Sequence, residues 1–525
     1  MKNGFRQSMA WLHTWSGLLV GWVLFAVFLT GTASYFRPEI SHWMRPEQHA
    51  LPRGPVSAQP MVDHLRAVAP GGFTLTLPEP RNPAASAFWR DPGAGGRGFR
   101  QAILDPATGQ PLAVRETRGG ELFYRLHFQL HYMSPIWGRW IVCFCAMFML
   151  VAIVSGIVTH RRIFADFFTF RPRKGQRSWL DAHAATATLA LPYHLMITYT
   201  GLVTLMLMVM PWGAQVAYDG NERALSAELF GDFRAGRPSG RPAPLVPIDP
   251  ILAEAARLWD GAPPARVTIS HPGDAAARIE VSRGHENRLS SARDAAVFDG
   301  ATGALIGREG RDSATARTWG VFYGLHLGRF AEPLLRALFF LSALAGTVMV
   351  GTGLVLWAVK ERQEAARRNH RAGFGTCLVE VLNLATVAGL PVAMAGFFWL
   401  NRLLPADMAG RGEWEVDGLF LIWGACLLHA AWRRGARRGW VEQFALAGAL
   451  GLGLPILDAL TAPIHLFAAL TAGNWLLAGF DLTVAALGGC MAAAAVYLAR
   501  RKPAARRPRA APVPRSSAFA AGAGE

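Results

Sequence analysis

The sequence predicts a mainly α-helical, polytopic membrane protein of about eight transmembrane helices, with two exported small α+β domains. Three observations predict this class. Of the 525 residues, 52% are hydrophobic and 17% are charged, which is typical of a membrane chain with soluble insertions. Several runs are long enough to cross a bilayer, since a transmembrane helix needs about 20 mostly apolar residues. Basic residues stand beside these runs, in the pattern that sets membrane topology.

The spans are predicted at 11–36, 137–159, 180–210, 334–358, 376–400, 416–432, 440–460 and 475–499. Eight spans place both termini on one side of the membrane, and the basic clusters identify that side as the cytoplasm. The basic clusters behind the net charge of +17 are therefore expected to set the membrane topology. Acidic membrane lipid is a secondary partner, and no binding of nucleic acid is expected. The last four spans lack membrane-embedded charge beyond Asp458, which disfavours a transporter.

The order of these features predicts how the chain is divided. We expect the following segments: 1–36, the first transmembrane helix; 37–126, an exported domain; 127–210, the second and third helices; 211–325, a second exported domain; 326–360, the fourth helix; 374–500, an appended four-helix membrane module; and 501–525, a disordered cytoplasmic tail. With both termini in the cytoplasm, the two exported domains would lie on the outer side of the membrane.

The N-terminal part of the chain is predicted to be a duplication. Phe-Tyr-Arg-Leu-His at 123–127 precedes one hydrophobic run, and Phe-Tyr-Gly-Leu-His at 322–326 precedes another. His13 and His183 each stand 17 positions before a Thr-Gly pair. The two exported insertions also end alike, with turn sequences of the form Asp-x-x-Thr-Gly that are typical of hairpins.

Four histidines at matching places predict metal ligation. Histidine within a bilayer is costly without a partner, and imidazole is a good ligand for haem iron. His13 and His183 are expected near the cytoplasmic face, and His127 and His326 near the outer face. We therefore predict two haems, each with its iron held by one of these pairs. Because no Cys-x-x-Cys-His sequence occurs, the haems would be of the b type.

Three further histidines are alternatives for ligation. His194 lies within the third span and is the first substitute. His160 ends the second span and could replace His183, and His131 lies one turn beyond His127 and could replace it. No catalytic acid or base is expected, since outer-sphere electron transfer requires none.

Several of these pieces resemble the PepSY-associated transmembrane family over roughly residues 1 to 360. They are His-Thr-Trp-Ser-Gly-Leu at 13–18, Phe-Arg-Pro-Glu-Ile at 36–40, the Leu-His pairs ending at His127 and His326, and residues 191–201. The family includes inner-membrane ferric-siderophore reductases that hold two b haems within four helices. The resemblance implies that this protein reduces a periplasmic ferric siderophore, or another ferric chelate, from Fe(III) to Fe(II).

One departure from related proteins concerns the source of electrons. Some relatives carry a fused flavin and nicotinamide reductase domain, and this sequence has no recognisable nucleotide site. The donor is then expected to be a separate cytoplasmic flavoprotein or the membrane quinol pool. Trp137, Trp140 and Trp319 are candidates to line the outer exit. The rival hypothesis is a haem-free membrane protein whose exported domains inhibit a peptidase or sense a ligand.

Overall fold

A computed structural model of the protein describes residues 4–91, 98–160, 171, 174–231, 236–310 and 313–501. The predicted tail therefore lies outside the described residues beyond Arg501. The helices of the N-terminal two-thirds are α1 (Phe5–Ser34), α2 (Arg37–Trp43), α3 (Gln59–Val68), α4 (Gly119–Gln129), α5 (Pro135–Thr159), α6 (Gln176–Leu189), α7 (Leu191–Thr204), α8 (Met206–Val209), α9 (Trp212–Ala217), α10 (Glu222–Phe230), α11 (Ile248–Leu258), α12 (Ala314–Leu327) and α13 (Pro333–Arg367).

The remaining helices belong to the predicted appended module. They are α14 (Phe374–Val387), α15 (Gly389–Leu403), α16 (Arg411–Trp432), α17 (Arg437–Thr461), α18 (Leu466–Thr471) and α19 (Trp475–Arg500). Helices α14 and α15 follow each other directly, with a change of direction at Ala388, and together form one span.

Seven helical stretches of the described chain are long and apolar enough to cross a membrane, which confirms a mainly α-helical, multi-pass membrane protein. The predicted span at 180–210 differs, because it is divided among α6, α7 and α8. The first break falls at Ala190, two residues before Pro192. Pro192 has no N–H to donate to the carbonyl of Thr188 four residues earlier, which accounts for a break there.

The two soluble insertions share a single antiparallel sheet. Its strands are β1 (Gly72–Thr76), β2 (Ala85–Arg90), β3 (Phe99–Leu104), β4 (Pro264–Ser270), β5 (Arg278–Arg283), β6 (Ala295–Asp299) and β7 (Leu305–Glu309). The strand order is β3-β2-β1-β4-β5-β6-β7, so the first strand of each insertion lies at the centre. These two strands pair directly, with Thr74 opposite Thr268 and their hydroxyls 3.1 Å apart.

Strand alternation gives this sheet two different faces. One face carries apolar residues such as Leu75 and Ile269, and it is buried against the apolar sides of α3 and α11. The other face carries mainly polar residues and lies towards the membrane helices. Its side chains include those of Thr74, Thr76, Arg266, Thr268, Glu280 and Ser282. The end of the helix bundle that adjoins this polar face is called the sheet end below, and the opposite end the far end.

The C-terminal helices pack tightly onto the N-terminal half. Trp43 of α2 stacks on Phe480 of α19 with ring centroids 4.5 Å apart, and its indole N–H donates to Asp481 at 3.0 Å. Arg402 donates to Asp458 at 2.6 Å and to the carbonyl of Trp43 at 2.8 Å. The prediction that these spans carry no embedded charge beyond Asp458 is therefore wrong.

Candidate functional site

The structure brings the four predicted histidines together as two pairs. The rings of His13 on α1 and His183 on α6 have centroids 6.1 Å apart, and this far-end pair is inclined at 67°. The rings of His127 on α4 and His326 on α12 have centroids 6.0 Å apart, and this sheet-end pair is inclined at 28°. Each pair takes one histidine from each half of the predicted duplication.

This spacing suits one metal ion between each pair of rings. An imidazole nitrogen binds a first-row metal ion at about 2 Å, which puts the ring centre about 3 Å from the metal. Two rings on opposite sides of one metal ion therefore have centroids about 6 Å apart. Within the described residues no group of three or more His, Cys, Asp or Glu side chains could hold a metal. Each pair thus offers two protein ligands, which is the number that a bis-histidine haem requires.

Every one of the four rings is oriented by a hydrogen bond from Nδ1 to a backbone carbonyl on a neighbouring helix. The acceptors are Ala152 for His13 at 2.8 Å, Met349 for His183 at 2.8 Å, Val27 for His127 at 2.7 Å and Ile197 for His326 at 3.1 Å. A carbonyl can only accept, so Nδ1 carries the proton and Nε2 carries the lone pair. No Nε2 atom of the four donates or accepts a hydrogen bond with a described residue. The rings therefore present a free ligand nitrogen.

A glycine lies against each ring, four residues after the carbonyl that orients it. A Cβ atom built on Gly31 would lie 2.7 Å from His127, and one on Gly201 would lie 2.9 Å from His326. At the far end, a Cβ atom on Gly156 or on Gly353 would lie 3.1 Å from the facing histidine. Any side chain here would displace the ring, so these glycines let each imidazole reach the helix backbone.

Sequence reasoning found only half of these glycine positions. It singled out the Thr-Gly pairs at Gly31 and Gly201 but missed Ser155-Gly156 and Thr352-Gly353. A sequence signal for these two positions exists, because a Ser or Thr followed by Gly also occurs near the end of α5 and within α13. Gly21, which shares a helix face with His13, instead packs on Leu354, and a Cβ on Gly17 would meet no atom within 4 Å.

The three alternative histidines have other surroundings. His131 stacks on Phe420 with centroids 5.4 Å apart, which places it against α16. His194 is 1% exposed, and its Nε2 lies 3.4 Å from the carbonyl oxygen of Ser342. His160 forms the C-terminal boundary of α5, close enough to both far-end histidines to affect their electrostatics. Since His194 has an acceptor at Nε2, the structure favours the four paired histidines.

A cavity of 850 Å³ separates the polar face of the sheet from the membrane helices. The sheet-end pair lines it, and the hydroxyl side chains of Thr74 and Thr268 lie on the sheet opposite. Trp319 also lines the cavity and stacks on Tyr323 with centroids 4.6 Å apart. Trp137 and Trp140 are 68% and 44% exposed on α5 and are not among the lining residues. Of the three predicted tryptophans, only Trp319 therefore contacts this space.

The cavity is rich in charge, with more guanidinium groups than carboxylates on its wall. The lining side chains include Arg37, Arg81, Arg266, Arg283, Arg288, Arg293 and Arg329 against Glu79, Glu280, Glu286 and Asp294. Arg81 is held by Glu39 at 2.7 Å, and Arg293 by Glu280 at 2.7 Å. Among the described residues, Arg266 and Arg329 have no ion-pair partner within 4.0 Å. These two guanidinium groups are available to an anionic ligand.

The pKa values of Glu79 and His285, two residues of this wall, are shifted by burial and by nearby charges. Burial raises the pKa of Glu79, with Glu286 as a further cause. Burial also lowers the pKa of His285 to about 4, and the positive charges of Arg329, Arg288 and Arg266 lower it further. A neutral imidazole near several guanidinium groups indicates a positive potential on this part of the cavity wall.

The duplicated halves and their joint sheet define a multi-pass membrane protein whose helices carry small extramembrane domains. Residues 10–360 match the family described as PepSY-associated TM region, and the chain belongs to that family. The family predicted from sequence is thereby confirmed. The chain is also similar to an uncharacterized protein of Pseudomonas aeruginosa, with 27% identity over 391 residues that cover 71% of this chain and 93% of that protein.

Proposed function

We propose that this protein is an inner-membrane electron-transfer protein that binds two b-type haems and reduces a ferric chelate, such as a ferric siderophore, in the periplasm. One observation carries the proposal. The two histidine pairs have the ring spacing of bis-histidine ligation, and all four Nδ1 atoms are committed to carbonyls. A histidine that binds a metal through one ring nitrogen usually donates a hydrogen bond from the other to an acceptor such as a backbone carbonyl.

The residues around each pair fit the proposed cofactor. Glycines on the facing helices bring each imidazole close to the helix backbone, and the two rings of each pair have the spacing of two ligands on one iron. A b-type haem held by each histidine pair would supply one-electron exchange at its iron. The histidines hold and orient this group, and their Nδ1 bonds keep the Nε2 atoms available as ligands.

The two pairs would serve opposite ends of one electron path. The far-end pair would receive one electron at a time from a cytoplasmic flavoprotein or from quinol. The sheet-end pair would deliver it to the ferric chelate in the cavity, where Fe(III) becomes Fe(II). The polar sheet face and the available Arg266 and Arg329 would bind the chelate, because guanidinium groups pair well with carboxylate and similar oxygen anions. No side chain needs to act as an acid or base in this step.

Purification in mild detergent and a pyridine haemochrome assay test the proposal. We expect two b haems per chain with low-spin spectra. Replacing His326 or His127 with Ala should remove the sheet-end haem and leave one per chain, and replacing His13 or His183 should remove the far-end one. His64 lies on α3, which packs on the sheet face opposite the cavity, so His64→Ala is the matched control and should retain both haems. Colourless protein after expression with ample haem would refute the proposal and favour a binding or regulatory role.

A further inference from the structure

Each carbonyl that orients a histidine also accepts a hydrogen bond from a hydroxyl on its own helix. The distances are 3.3 Å from Thr30 to Val27, 3.3 Å from Ser155 to Ala152, 3.3 Å from Thr200 to Ile197 and 2.9 Å from Thr352 to Met349. The hydroxyl residue always immediately precedes the glycine that lies against the ring. Four sites thus repeat one arrangement of hydroxyl, glycine, carbonyl and imidazole.

Three donors compete for each of these oxygens. In a regular helix the carbonyl already accepts from the N–H four residues later, which here belongs to the glycine. The histidine Nδ1–H and the hydroxyl then share what acceptor capacity is left, since a carbonyl oxygen has two lone pairs. The hydroxyl also donates to the preceding carbonyl, as Thr30 does to Ala26 at 2.6 Å. The hydroxyl therefore weakens the bond that the histidine Nδ1–H donates to this carbonyl.

The strength of this bond affects the ligand. A strong acceptor at Nδ1 makes an imidazole more basic, and a more basic ligand stabilises oxidised iron over reduced iron. A competing hydroxyl reduces that effect and favours the reduced state. On the basis of the proposed function, we propose that Thr30, Ser155, Thr200 and Thr352 are positioning residues that raise the reduction potentials of the two sites by limiting this hydrogen bond.

Thr200 distinguishes the sheet end from the far end. Its hydroxyl lies 3.1 Å from Nδ1 of His326, which is the same distance that separates this Nδ1 from the carbonyl of Ile197. The other three histidines have single, shorter Nδ1 bonds of 2.7 to 2.8 Å. The Thr200 oxygen accepts from the protonated Nδ1, so the Nδ1–H of His326 is divided between two acceptors, each farther away than the single carbonyl bound by the other three histidines. The sheet-end site consequently has the higher potential, and electrons favour the end that faces the cavity.

Redox titration of the purified protein, followed by visible spectroscopy, tests this assignment. Thr200→Val and Thr30→Val should lower the potential of the sheet-end site only, whereas Ser155→Ala and Thr352→Val should lower that of the far-end site only. We expect Thr200→Val to change the ratio of reduced to oxidised iron about tenfold at fixed ambient potential, which corresponds to about 59 mV for one electron. In the unaltered protein the sheet-end site should be reduced first.

The chain provides a matched control in Thr32. This residue is buried on α1, and its hydroxyl donates to the carbonyl of Phe28 at 2.7 Å, which orients none of the four histidines. Thr32→Val should leave both potentials unchanged. If Thr30→Val, Thr200→Val or Thr352→Val loses haem, the serine variant at the same position is titrated in its place. Serine retains the hydroxyl, so it tests whether the hydroxyl sets the potential. Restored haem and potential in Thr200→Ser support the proposal, and failure to restore them refutes it.

Two other outcomes separate this inference from the proposed function. Full haem content with unchanged potentials in all four variants, or a far-end site that is reduced first, overturns the inference and leaves the proposed function intact. A colourless unaltered protein refutes the proposed function and the inference with it.

Discussion

Gly31 of α1 and His127 of α4 are in such close contact that a Cβ atom on the glycine would lie 2.7 Å from Nδ1 of the ring. The same Nδ1 donates to the carbonyl of Val27 at 2.7 Å. The absence of a side chain at position 31 and the orientation of the ring therefore depend on each other.

Gly31→Ala is expected to displace the His127 ring and lower haem content from two per chain to about one. The reason is steric, since a contact of 2.7 Å is shorter than a carbon atom and a ring atom tolerate. Gly17→Ala is the control on the same helix, because a Cβ atom at that position would have no atom within 4 Å. The pyridine haemochrome assay measures both. Full haem content in Gly31→Ala would show that the ring adapts.

Arg402→Met should strongly destabilise the protein. Arg402 and Asp458 form a bridge in which the side chains are 0% and 1% exposed, so removing the cation leaves a buried carboxylate alone. Loss of one member of a buried pair typically costs about 3–5 kcal/mol. Thermal unfolding followed by fluorescence should show a lower midpoint. Arg368→Met, at a side chain that is 74% exposed, serves as the control.

The double variant Arg402→Met with Asp458→Leu is expected to be more stable than Arg402→Met alone. Replacing both partners removes the uncompensated charge, and apolar replacements of buried ion pairs are often neutral. If the double variant is less stable than the unaltered protein by the sum of the losses in Arg402→Met and Asp458→Leu, the two side chains do not act as a pair.

Stability should fall as the pH drops from about 6.5 towards 4. Burial lowers the pKa of His42 to about 3 and that of His49 to about 4. Below pH 6.5 the unfolded chain takes up protons on these histidines while the folded protein does not, so unfolding becomes more favourable. At pH 5 each histidine contributes up to about 2 kcal/mol of this loss.

Thermal midpoints measured between pH 7.5 and pH 5 check this prediction. His42→Phe should reduce the loss of stability at pH 5, because a phenyl ring takes up no proton in the unfolded state. His64→Phe is the matched control on α3 and should leave the pH dependence as it is. An unchanged pH dependence in His42→Phe would contradict the assignment.

Arg266→Gln and Arg329→Gln should each weaken binding of an anionic ferric chelate such as ferric citrate. A hydrogen bond to a charged group contributes about 1.5–3 kcal/mol, so the Kd should rise about tenfold or more. Quenching of tryptophan fluorescence reports binding, since Trp319 lines the cavity. Arg257→Gln, at a side chain that is 76% exposed on α11, is the control. A positively charged ferric chelate should not bind more weakly after any of the three changes, because removing a guanidinium group lowers its repulsion of a cation.

Much of the site could be predicted because the duplication marks it in the sequence. Four histidines at corresponding places predicted the two pairs, and the topology of the spans placed His13 with His183 and His127 with His326. The orienting carbonyls could not be predicted, because a backbone acceptor leaves no residue-type signal. Only the neighbouring glycines are visible in a sequence, and a glycine in a membrane helix has several packing roles.

The fold was less predictable where it depends on contacts between distant segments. The insertions suggested two separate small domains, and nothing in their sequences shows that β1 pairs with β4 across roughly two hundred residues. The burial of Asp481 and Arg402 was missed for the same reason, since their partners Trp43 and Asp458 lie on other helices. Long-range pairing of this kind is set by tertiary packing rather than by local pattern.

The central pairing of β1 with β4 has a consequence for how this protein is assembled. Equivalent strands pair antiparallel, and equivalent histidines face each other, so the two halves meet as the subunits of an isologous twofold dimer do. The chain carries both subunits in covalent form. Neither half alone has more than one ring of either pair, so each site exists only at the interface. Fusion makes that interface independent of protein concentration and allows corresponding residues such as Ser155 and Thr352 to differ, which a homodimer forbids.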